Sequence, residues 1–400
     1  MSEHATVPQV DDLTEAQLIE RAREVGELAW ARTAETEADR RLPDDVIDAL
    51  HASGLLRLAT SRRMGGLEAD PLTLVEVGRE LSRGSAALGW LYGLSTGHQW
   101  YLSFTSEQLQ QEVRDAEPGL IVDSLVPAGE GEAADGGYML SGRWRFVSGV
   151  EWCSWAGLAF VTQLPGRSEP EPVVAFVPAS DLVIEDTWRV VGLRGTASNE
   201  VVLDHVFVPF HRLFALARFA ADSVPQGEVA EEGTLYKLPF MGMAAIHLCY
   251  PALGGAQRAL DEFAAWTKKR VRAYEHTAAQ EAPYSQLTLA DATAKWDAAH
   301  ALLLQYVRDM WSAAESGRVV LPPDERARMF AQRAFITRTS AELTNQLFLD
   351  SGAMSLFETS AMQQLWRDVN AASMHMVLGR GDALTSLGRN LMGLPGHHFA

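Results

Sequence analysis

A strand-forming segment near the middle of the chain, residues 142–149, constrains the possible folds more than any other stretch. Its sequence, GRWRFVSG, alternates bulky residues with small or polar ones, as a strand buried on one face does. It ends at Ser148 and Gly149, where the backbone can turn tightly and a hydroxyl can point at a bound group. The residues on both sides of this region have helical patterns. The fold must therefore place a small β unit between two helical blocks.

A second segment, residues 188–203, has the same character. Its sequence, WRVVGLRGTASNEVVL, is strand-like and carries an exposed-looking polar cluster of Thr196, Ser198 and Asn199. Short runs rich in β-branched and aromatic residues predict the strands of this unit, at residues 120–122, 138–140, 144–147, 155–162, 173–177 and 201–208.

Helical patterns account for most of the remaining chain. A capping box at residues 14–17 begins the first helix, and residues 71–104 have helical spacing. After the β unit, apolar residues recur at helical spacing in five segments, at residues 240–272, 286–316, 323–350, 358–379 and 381–392. Long helices in succession predict an antiparallel four-helix bundle.

These changes of pattern place the domain boundaries. We expect an N-terminal helical domain at residues 1–119 and a central β domain at residues 120–210. A polar, irregular linker at residues 211–237 then leads to a helical bundle at residues 238–400. The fold class predicted from the residues is α+β and mostly α.

The composition excludes several classes of protein. A net charge of −18 over 400 residues disfavours binding to nucleic acid or to anionic membrane surfaces. The chain has no signal-peptide pattern at its start and no apolar run of about 18 residues, so we expect a cytoplasmic protein without a membrane span. Cys153 and Cys249 are not in a CxxC pair, which predicts two reduced thiols and neither a disulfide nor a zinc site.

Familiar catalytic and nucleotide-binding motifs are absent. The sequence has no glycine-rich phosphate loop, no HExxH and no GxSxG. Metal-ligand spacing is also missing, and the adjacent pair His397-His398 has poor chelating geometry at the end of the chain. We expect no metal site.

The tryptophans and serines of the β unit allow two interpretations. A planar aromatic cofactor needs a flat apolar wall and a few hydrogen bonds to its heteroatoms. Trp144 and Trp188 would form that wall, and Ser148 would donate to a ring nitrogen. Alternatively both tryptophans are core residues of a small barrel, although Ser148 beside Gly149 is harder to explain as core.

Two histidines and one basic cluster are further candidates. His98 and His375 lie on helical stretches among apolar and small residues, where a neutral imidazole can serve as a general base or be a core residue. Residues 268–272, KKRVR, end a predicted helix. They are either a cationic last turn favoured by the helix dipole or an anion site for a cofactor phosphate.

The order of helical block, small β-barrel and four-helix bundle resembles the acyl-CoA dehydrogenase fold. The motifs are most similar to one branch, the oxygenase components of two-component flavin-dependent monooxygenases, which include the p-hydroxyphenylacetate, hydroxy-seco-steroid and dibenzothiophene oxygenases. The stretches that carry the resemblance span nearly the whole chain, at residues 49–58 with 65–66, 135–144, 146–149, 186–199, 206–209 and 366–375.

The resemblance implies roles for particular residues. Ser148 resembles a serine near the flavin N5 that stabilises a C4a-hydroperoxyflavin, and Trp188 resembles a tryptophan lining the isoalloxazine. His98 and His375 resemble the two histidines near flavin and substrate. Arg270 or Arg272 resembles an arginine that reaches the flavin phosphate, often from another subunit. Ser351 and Gly352 match a glycine-containing turn near the cofactor tail.

Two departures from the wider fold family bear on function. In many acyl-CoA dehydrogenases a glutamate base follows an Arg-Asp pair in the last long helix. Here Arg367-Asp368 is followed by VNAASMH, and the next acid is Asp382. This favours the oxygenase branch over a dehydrogenase or oxidase. The second departure is Ala197, where relatives often have glycine.

The resemblance therefore implies a monooxygenase that uses reduced FMN or FAD and O2 to hydroxylate a small aromatic or polycyclic compound. A separate NAD(P)H:flavin reductase would supply the reduced flavin, and the family suggests a homotetramer. The alternatives are an acyl-CoA dehydrogenase or oxidase and a flavin-free interaction protein. The residues leave open the substrate, the choice between FMN and FAD, and which histidine acts as the base.

Overall fold

The computed structural model describes residues 13–271 and 278–396. The chain begins with six helices, α1 (Glu15–Ala31), α2 (Thr33–Asp39), α3 (Asp44–Ala52), α4 (Pro71–Gly84), α5 (Ala86–Leu102) and α6 (Glu107–Asp115). The predicted capping box is present, because the side chains of Thr14 and Gln17 bond each other's backbone N–H groups. The pattern over residues 71–104 divides into two helices at Ser85, which is extended and caps α5.

The β unit is one sheet of seven strands among the described residues. The strands are β1 (Leu120–Ala134), β2 (Gly137–Val147), β3 (Cys153–Thr162), β4 (Glu171–Pro178), β5 (Val183–Glu185), β6 (Asn199–Pro209) and β7 (Leu213–Phe214). Their order is β5-β6-β2-β1-β3-β4-β7, and only β1 and β3 pair in parallel. In the part of the chain that the structure describes, the edge strands β5 and β7 are not paired with each other. A closed barrel is therefore not observed.

The first strand bends so that it serves both halves of the sheet. Its beginning, residues 120–124, pairs with β3, and its end, residues 129–134, pairs with β2. The ring of Trp144 packs against Gly129 at the bend, where an added Cβ would lie 2.2 Å from the indole. Glycine at this position leaves room for the buried indole of Trp144.

The C-terminal part is helical. It contains α7 (Leu216–Asp222), α8 (Phe240–Ile246), α9 (Tyr250–Lys269), α10 (Pro283–Glu315), α11 (Pro323–Ser351), α12 (Ala361–Ala372) and α13 (Arg380–Leu391). Helices α9 to α12 pack on one another. Part of their buried apolar surface joins the core of α4 and the sheet, and the rest forms a separate cluster between these helices. The helix predicted over residues 240–272 is interrupted by a turn between α8 and α9.

Two predicted segments differ from the structure. The helix predicted over residues 358–379 ends at Ala372, because Ser373 bonds back to the carbonyl of Val369 and the backbone at His375 is extended. The segment predicted as an irregular linker contains β7, which pairs with β4, and α7. Phe214 and Phe219 from this segment are fully buried, so the segment is part of the core.

The described residues contain no helix with the length and apolar character needed to cross a membrane. Within the same ranges no group of three or more His, Cys, Asp and Glu side chains is arranged to hold a metal ion. Cys153 and Cys249 are free, and burial raises the pKa of each thiol to about 12. Neither is a reactive thiolate at neutral pH.

Candidate active site

Three hydroxyl groups form a buried chain where β2 ends. Ser148 Oγ lies 2.8 Å from Ser198 Oγ, which lies 2.7 Å from Thr196 Oγ1. Thr196 in turn donates to the carbonyl oxygen of Leu193 at 2.9 Å. The polar cluster that looks exposed in the sequence is thus internal, because its hydroxyls bond one another and the backbone. Ser148 itself remains 8% exposed.

The ends of this chain fix the direction of its hydrogen bonds. The carbonyl of Leu193 can only accept, so Thr196 spends its single proton there, and Ser198 must donate to Thr196. Ser148 then donates to Ser198. At the other end, Nε1 of Trp90 on α5 donates to Ser148 Oγ at 3.3 Å. Ser148 therefore offers a bound group a lone pair, where the sequence suggested a donor.

A glycine turn holds Ser148 in place. Gly149 has φ +77°, and its N–H donates to the carbonyl of Thr196 at 2.8 Å. An added Cβ would lie 3.0 Å from both Leu91 and Leu120. The turn requires glycine for its backbone conformation and for the close approach of α5.

Trp188 and Phe146 form an aromatic pair beside this turn. Asn199 Oδ1 accepts the backbone N–H groups of Thr187 and Trp188, both at 3.0 Å, and Trp188 Nε1 donates to Leu193 O at 3.0 Å. The ring of Phe146 meets that of Trp188 edge-on at 6.0 Å. Phe146 is 69% exposed and has φ +61°, a strained backbone for an aromatic residue. The pair presents apolar surface near Ser148.

The loop before β6 is not the strand predicted from residue 188. Leu193 and Ala197 both have positive φ, which breaks the pleat, and regular pairing begins only at Asn199. Ala197 has φ +42°, which explains why glycine suits this position in relatives.

Helix α12 fastens this loop to the bundle. Asp368 Oδ1 accepts the N–H of Leu193 at 2.7 Å, and its Oδ2 accepts Gln364 Nε2 at 2.9 Å. Arg367 donates to the carbonyl of Val191 at 2.6 Å. Burial, with the nearby charge of Glu37, raises the pKa of Asp368 to about 6 despite these hydrogen bonds.

His98 is held by two acceptors. Its Nδ1 donates to the carbonyl of Ile121 at 2.7 Å, and its Nε2 lies 3.0 Å from Asp123 Oδ2. Tyr101 donates its hydroxyl to the same carboxylate oxygen at 3.1 Å. Burial lowers the pKa of His98, but the charge and hydrogen bond of Asp123 and the bond to Ile121 outweigh it, so the pKa is raised.

His375 has a different environment. It is not helical, and its Nδ1 accepts the N–H of Val377 at 3.4 Å. Its ring lies 5.8 Å from that of Trp90. Burial lowers the pKa of His375, and the charge of Asp123 opposes that shift. The imidazole is therefore mainly neutral at neutral pH.

Two residues not singled out in the sequence bring these groups together. Trp90 contacts both Ser148 and His375, and the charge of Asp123 acts on both His98 and His375. Ser148 and His375 are thus linked through Trp90, and His98 and His375 through the charge of Asp123. Neither Trp90 nor Asp123 lies in a recognisable motif, so only the fold reveals them.

Trp144 is a core residue, and its predicted place in a cofactor wall is wrong. Its side chain is fully buried, and its Nε1 donates to Ala159 O at 2.7 Å. Residues 144 and 148 are an even number apart and would normally lie on the same face of a strand. The pairing of β2 with β6 shifts register between Trp144 and Val147, so Trp144 lies in the core of the sheet and does not share the face of Ser148.

Arg270, Ser351 and Gly352 form a second cluster. The Arg270 guanidinium lies 4.4 Å over the ring of Trp266 and donates to Ser351 O at 3.5 Å. Gly352 has φ +76°, and the Ser351 hydroxyl bonds its own helix at Leu347 O. No carboxylate among the described residues pairs with Arg270, which leaves its charge available to an anion. Arg272 lies outside the described residues.

His247 is a buried histidine that the sequence analysis did not identify. It is 1% exposed, its Nδ1 lies 3.2 Å from the Tyr250 hydroxyl, and its Nε2 has no partner among the described residues. Burial, with the charge of nearby His98, lowers the pKa of His247 to about 3. It packs against Gly97, where an added Cβ would lie 2.7 Å from the imidazole.

The arrangement suits a flavin. An isoalloxazine ring needs apolar surface beside hydrogen-bonding groups, and its phosphate tail needs a cation. The Phe146–Trp188 pair, the lone pair of Ser148 and the guanidinium of Arg270 are groups of these kinds. The donors and acceptors present therefore fit the cofactor chemically.

Family models match both helical parts of the chain. The acyl-CoA dehydrogenase N-terminal domain matches residues 13–114, and the acyl-CoA dehydrogenase C-terminal domain matches residues 246–380. Together with the sheet between them, these matches define a flavoenzyme-type fold of the acyl-CoA dehydrogenase class.

Known relatives narrow the class. The chain is 33% identical to the oxygenase component of an FADH2-dependent resorcinol hydroxylase from Rhizobium sp. (strain MTP-10005), over 94% of each protein. It matches the crystal structure of 3-HSA hydroxylase from Rhodococcus sp. RHA1 with a TM-score of 0.88 and 30% identity, over 98% of this chain and 100% of that one. It also matches XiaF from Streptomyces sp. in complex with FADH2 and glycerol, with a TM-score of 0.86 and 28% identity over 95% and 96%. The chain belongs to the oxygenase components of flavin-dependent monooxygenases.

Proposed function

We propose that this protein binds reduced FAD, supplied by a separate NAD(P)H:flavin reductase, and uses O2 to hydroxylate a small aromatic compound that carries a hydroxyl group. The choice of FAD over FMN follows the FADH2-dependent relative, and the choice of a phenol follows the resorcinol hydroxylase. Polycyclic phenols remain within this class.

The observation that carries the proposal is the direction of the hydroxyl chain. Ser148 spends its proton on Ser198 and accepts from Trp90, which leaves a lone pair on its oxygen. Reduced flavin carries a hydrogen on N5, whereas oxidised flavin has only a lone pair there. An acceptor at Ser148 is therefore complementary to the reduced cofactor and repels the oxidised one.

The chain's residues have distinct tasks in this proposal. Trp188 and Phe146 support the ring, and Arg270 binds the phosphates. Ser148 fixes the reactive edge, and Trp90 with the apolar residues around it excludes water, which otherwise promotes wasteful release of H2O2. When bound, the reduced flavin supplies the two electrons needed to place one oxygen atom of O2 in the product and the other in water. Asp123, His98 and His375 face the substrate.

A dehydrogenase is less well supported. The carboxyl group closest to the usual position of the base, Asp368, is buried and bonded to the backbone of Leu193. It holds a loop in place and is not free to remove a substrate proton. The lack of another acid before Asp382 points in the same direction.

The finer architecture belongs to the same proposal. We assign the sheet to the small β-barrel of the family and α9–α12 to its four-helix bundle, with boundaries near residues 119, 210 and 238. The chain acts as a homotetramer in which neighbouring copies complete each other's cofactor sites. The exposed apolar side chains near Arg270 support this assembly.

In the test, purified protein is incubated with a flavin reductase, NADH, O2 and a panel of phenols that includes resorcinol. Reactions with FAD and with FMN are run in parallel. We expect a hydroxylated product from at least one phenol and little H2O2. No product together with flavin reoxidation at the rate seen in buffer contradicts the proposal. Anaerobic reduction of bound FAD by an acyl-CoA would instead support the dehydrogenase.

A further inference from the structure

We propose that Asp123, and not His98, is the residue that accepts the proton of the substrate hydroxyl, and that His98 is a protonated partner that holds the carboxylate in position. This inference rests on the proposed function, since it concerns the phenol in the same site. It assigns a role to a residue that no motif identifies.

The hydrogen bonds of His98 leave it without a free lone pair. Its Nδ1 faces the carbonyl of Ile121 at 2.7 Å, and a carbonyl oxygen can only accept. Its Nε2 faces Asp123 Oδ2 at 3.0 Å, and an ionised carboxylate can also only accept. Both ring nitrogens must therefore carry hydrogen, and His98 is an imidazolium. A ring with two N–H groups cannot take a further proton.

Asp123 has the free acceptor that His98 lacks. Its Oδ2 receives both His98 Nε2 and the hydroxyl of Tyr101, whereas its Oδ1 has no partner among the residues that the structure describes. The side chain is 11% exposed. Its charge acts on His375 on the far side of the site. Oδ1 is thus the carboxylate oxygen left to accept the proton of a substrate hydroxyl.

The titratable side chains on the elements packed around Asp123 keep His98 as the charged histidine of the site. From α5, His98 and Tyr101 face the carboxylate; from the segment after α12, His375 does. His247, behind α5, stays neutral because burial and the charge of His98 lower its pKa to about 3. His375 uses Nδ1 to accept from Val377, so its neutral tautomer carries hydrogen on Nε2. It is a donor toward the site and not a base.

The step is a single proton transfer. The O–H bond of the phenol breaks, its electron pair stays on the phenolate oxygen, and the proton forms a bond to Asp123 Oδ1. The positive charge of His98 then lies beside a neutral carboxyl group and the new phenolate, which it stabilises. The phenolate ring is more electron-rich than the phenol, and it is the better nucleophile toward an oxygen donor.

The first measurement needs neither flavin nor turnover. Histidine-selective ¹⁵N NMR of the full-length protein, with His98 assigned by its loss in His98→Asn, reports whether each ring nitrogen carries hydrogen. We expect both to be protonated in the wild type at pH 7.5, and only one in Asp123→Asn. A singly protonated His98 in the wild type overturns the assignment.

The second measurement compares resorcinol hydroxylation by Asp123→Asn, His98→Asn and Tyr101→Phe at saturating reduced FAD. Asp123→Asn should lower kcat/KM about 10²–10⁴-fold, the usual contribution of a positioned base, while H2O2 formation continues. His98→Asn should lose about tenfold or less, since Asp123 remains, and Tyr101→Phe less still.

The pH profile separates chemistry from damage to the fold. In Asp123→Asn the residual rate should rise with pH as resorcinol ionises in solution, because phenolate that binds already ionised bypasses the missing acceptor. A loss in His98→Asn equal to or greater than that in Asp123→Asn at every pH overturns the proposal. If the wild type does not hydroxylate resorcinol, the proposed function fails for this probe, and the NMR result alone decides the assignment of Asp123 and His98.

Discussion

At the scale of single residues, chains of hydrogen bonds determine which groups of the site donate and which accept, more than the identity of any one group does. Ser148 could donate or accept, and the carbonyl of Leu193, three bonds away along the chain of hydroxyls, decides which. The same logic applies to His98, whose protonation is set by Ile121 and Asp123. Changes at the ends of such chains should alter chemistry at their active ends.

Thr196→Val tests the hydroxyl chain. Without Thr196, Ser198 is free to donate to Ser148, and the Ser148 proton becomes available to a ligand. We expect the preference for reduced over oxidised FAD to fall about tenfold, the equivalent of one hydrogen bond of roughly 1.4 kcal/mol. Anaerobic titration with reduced FAD and aerobic titration with oxidised FAD give the two Kd values.

Thr293→Val is the matched control for this change. Thr293 also donates to a backbone carbonyl, that of Leu289, but on the exposed face of α10. Its substitution should leave both flavin affinities as in the wild type. An unchanged ratio of affinities in Thr196→Val would mean that Ser148 does not distinguish the two redox states of the flavin.

At the scale of elements, glycines on α5 let that helix pack closely against the turn before α9. Gly97→Ala places a Cβ 2.7 Å from the buried His247 ring, so packed atoms must move to relieve the contact. We expect a loss of about 1–3 kcal/mol in the free energy of unfolding, although alanine is the better helix former. Gly388→Ala on α13, where nothing lies within 4 Å, should instead gain about 0.5–1 kcal/mol. Urea unfolding compares them, and equal effects would contradict the packing argument.

Helix α12 and the loop before β6 are joined through one buried carboxyl group, which makes their association depend on pH. The pKa of Asp368 is raised from 3.8 to about 6, so the folded state binds its proton more tightly than the unfolded state does. The resulting stability is complete below pH 4 and is lost as the pH rises through 6. At 1.36 kcal/mol for each pH unit, the loss approaches about 3 kcal/mol.

Asp368→Asn should remove this dependence. Asparagine keeps an oxygen for the N–H of Leu193, and its amide can donate to Gln364 Oε1 once that side chain flips. Relative to the wild type, the variant should gain up to about 3 kcal/mol between pH 4 and pH 7.5, measured by urea unfolding at each pH. A difference between variant and wild type that stays constant with pH would show that Asp368 does not titrate in this range.

The helices could be predicted from the sequence because their signals are local. The capping box at Thr14 and the apolar spacing of α9 to α11 each depend on residues a few positions apart. The loop at residues 188–198 could not, since Leu193, where φ is positive, is hydrogen-bonded to Asp368, which is distant in sequence. The helix end before His375 is not predictable from local sequence for a similar reason, because Ser373 also bonds Thr337 on α11.

The candidate site divides in the same way. The sequence predicts Ser148, His98 and His375 from their residue types and from a family resemblance, and their catalytic roles stay predictions. In the structure, Trp90 contacts both Ser148 and His375. Trp144 has the residue type expected of a cofactor wall, but a register shift in β2 places its side chain in the core. Asp123 sits in an ordinary strand pattern, and only its contact with His98 across the α5–β1 interface distinguishes it. Pairings between distant elements are not visible in local patterns.

At the scale of the whole molecule, one apolar surface lies next to Arg270. At the end of α11 and in the turn that follows, four large side chains are more than half exposed, namely Leu349, Met354, Leu356 and Phe357. Large apolar side chains that are exposed together in one short segment often mark an interface between proteins. Ser351 and Gly352, which contact Arg270, lie between these residues in the chain. A second copy that covers this surface would therefore also reach the proposed phosphate site.

The double variant Leu349→Asp/Leu356→Asp tests this assembly. Two charges in an apolar interface cost several kcal/mol when they are desolvated without partners, so we expect light scattering to report a smaller species than the wild-type oligomer. Because neighbouring copies would complete the cofactor site, the affinity for reduced FAD should fall with the loss of assembly. Val183→Asp, at an exposed apolar residue on the edge strand β5, should change neither quantity. A wild-type protein that is monomeric at micromolar concentration, or a double variant that keeps both its mass and its flavin affinity, would mean that this surface is not where the copies meet.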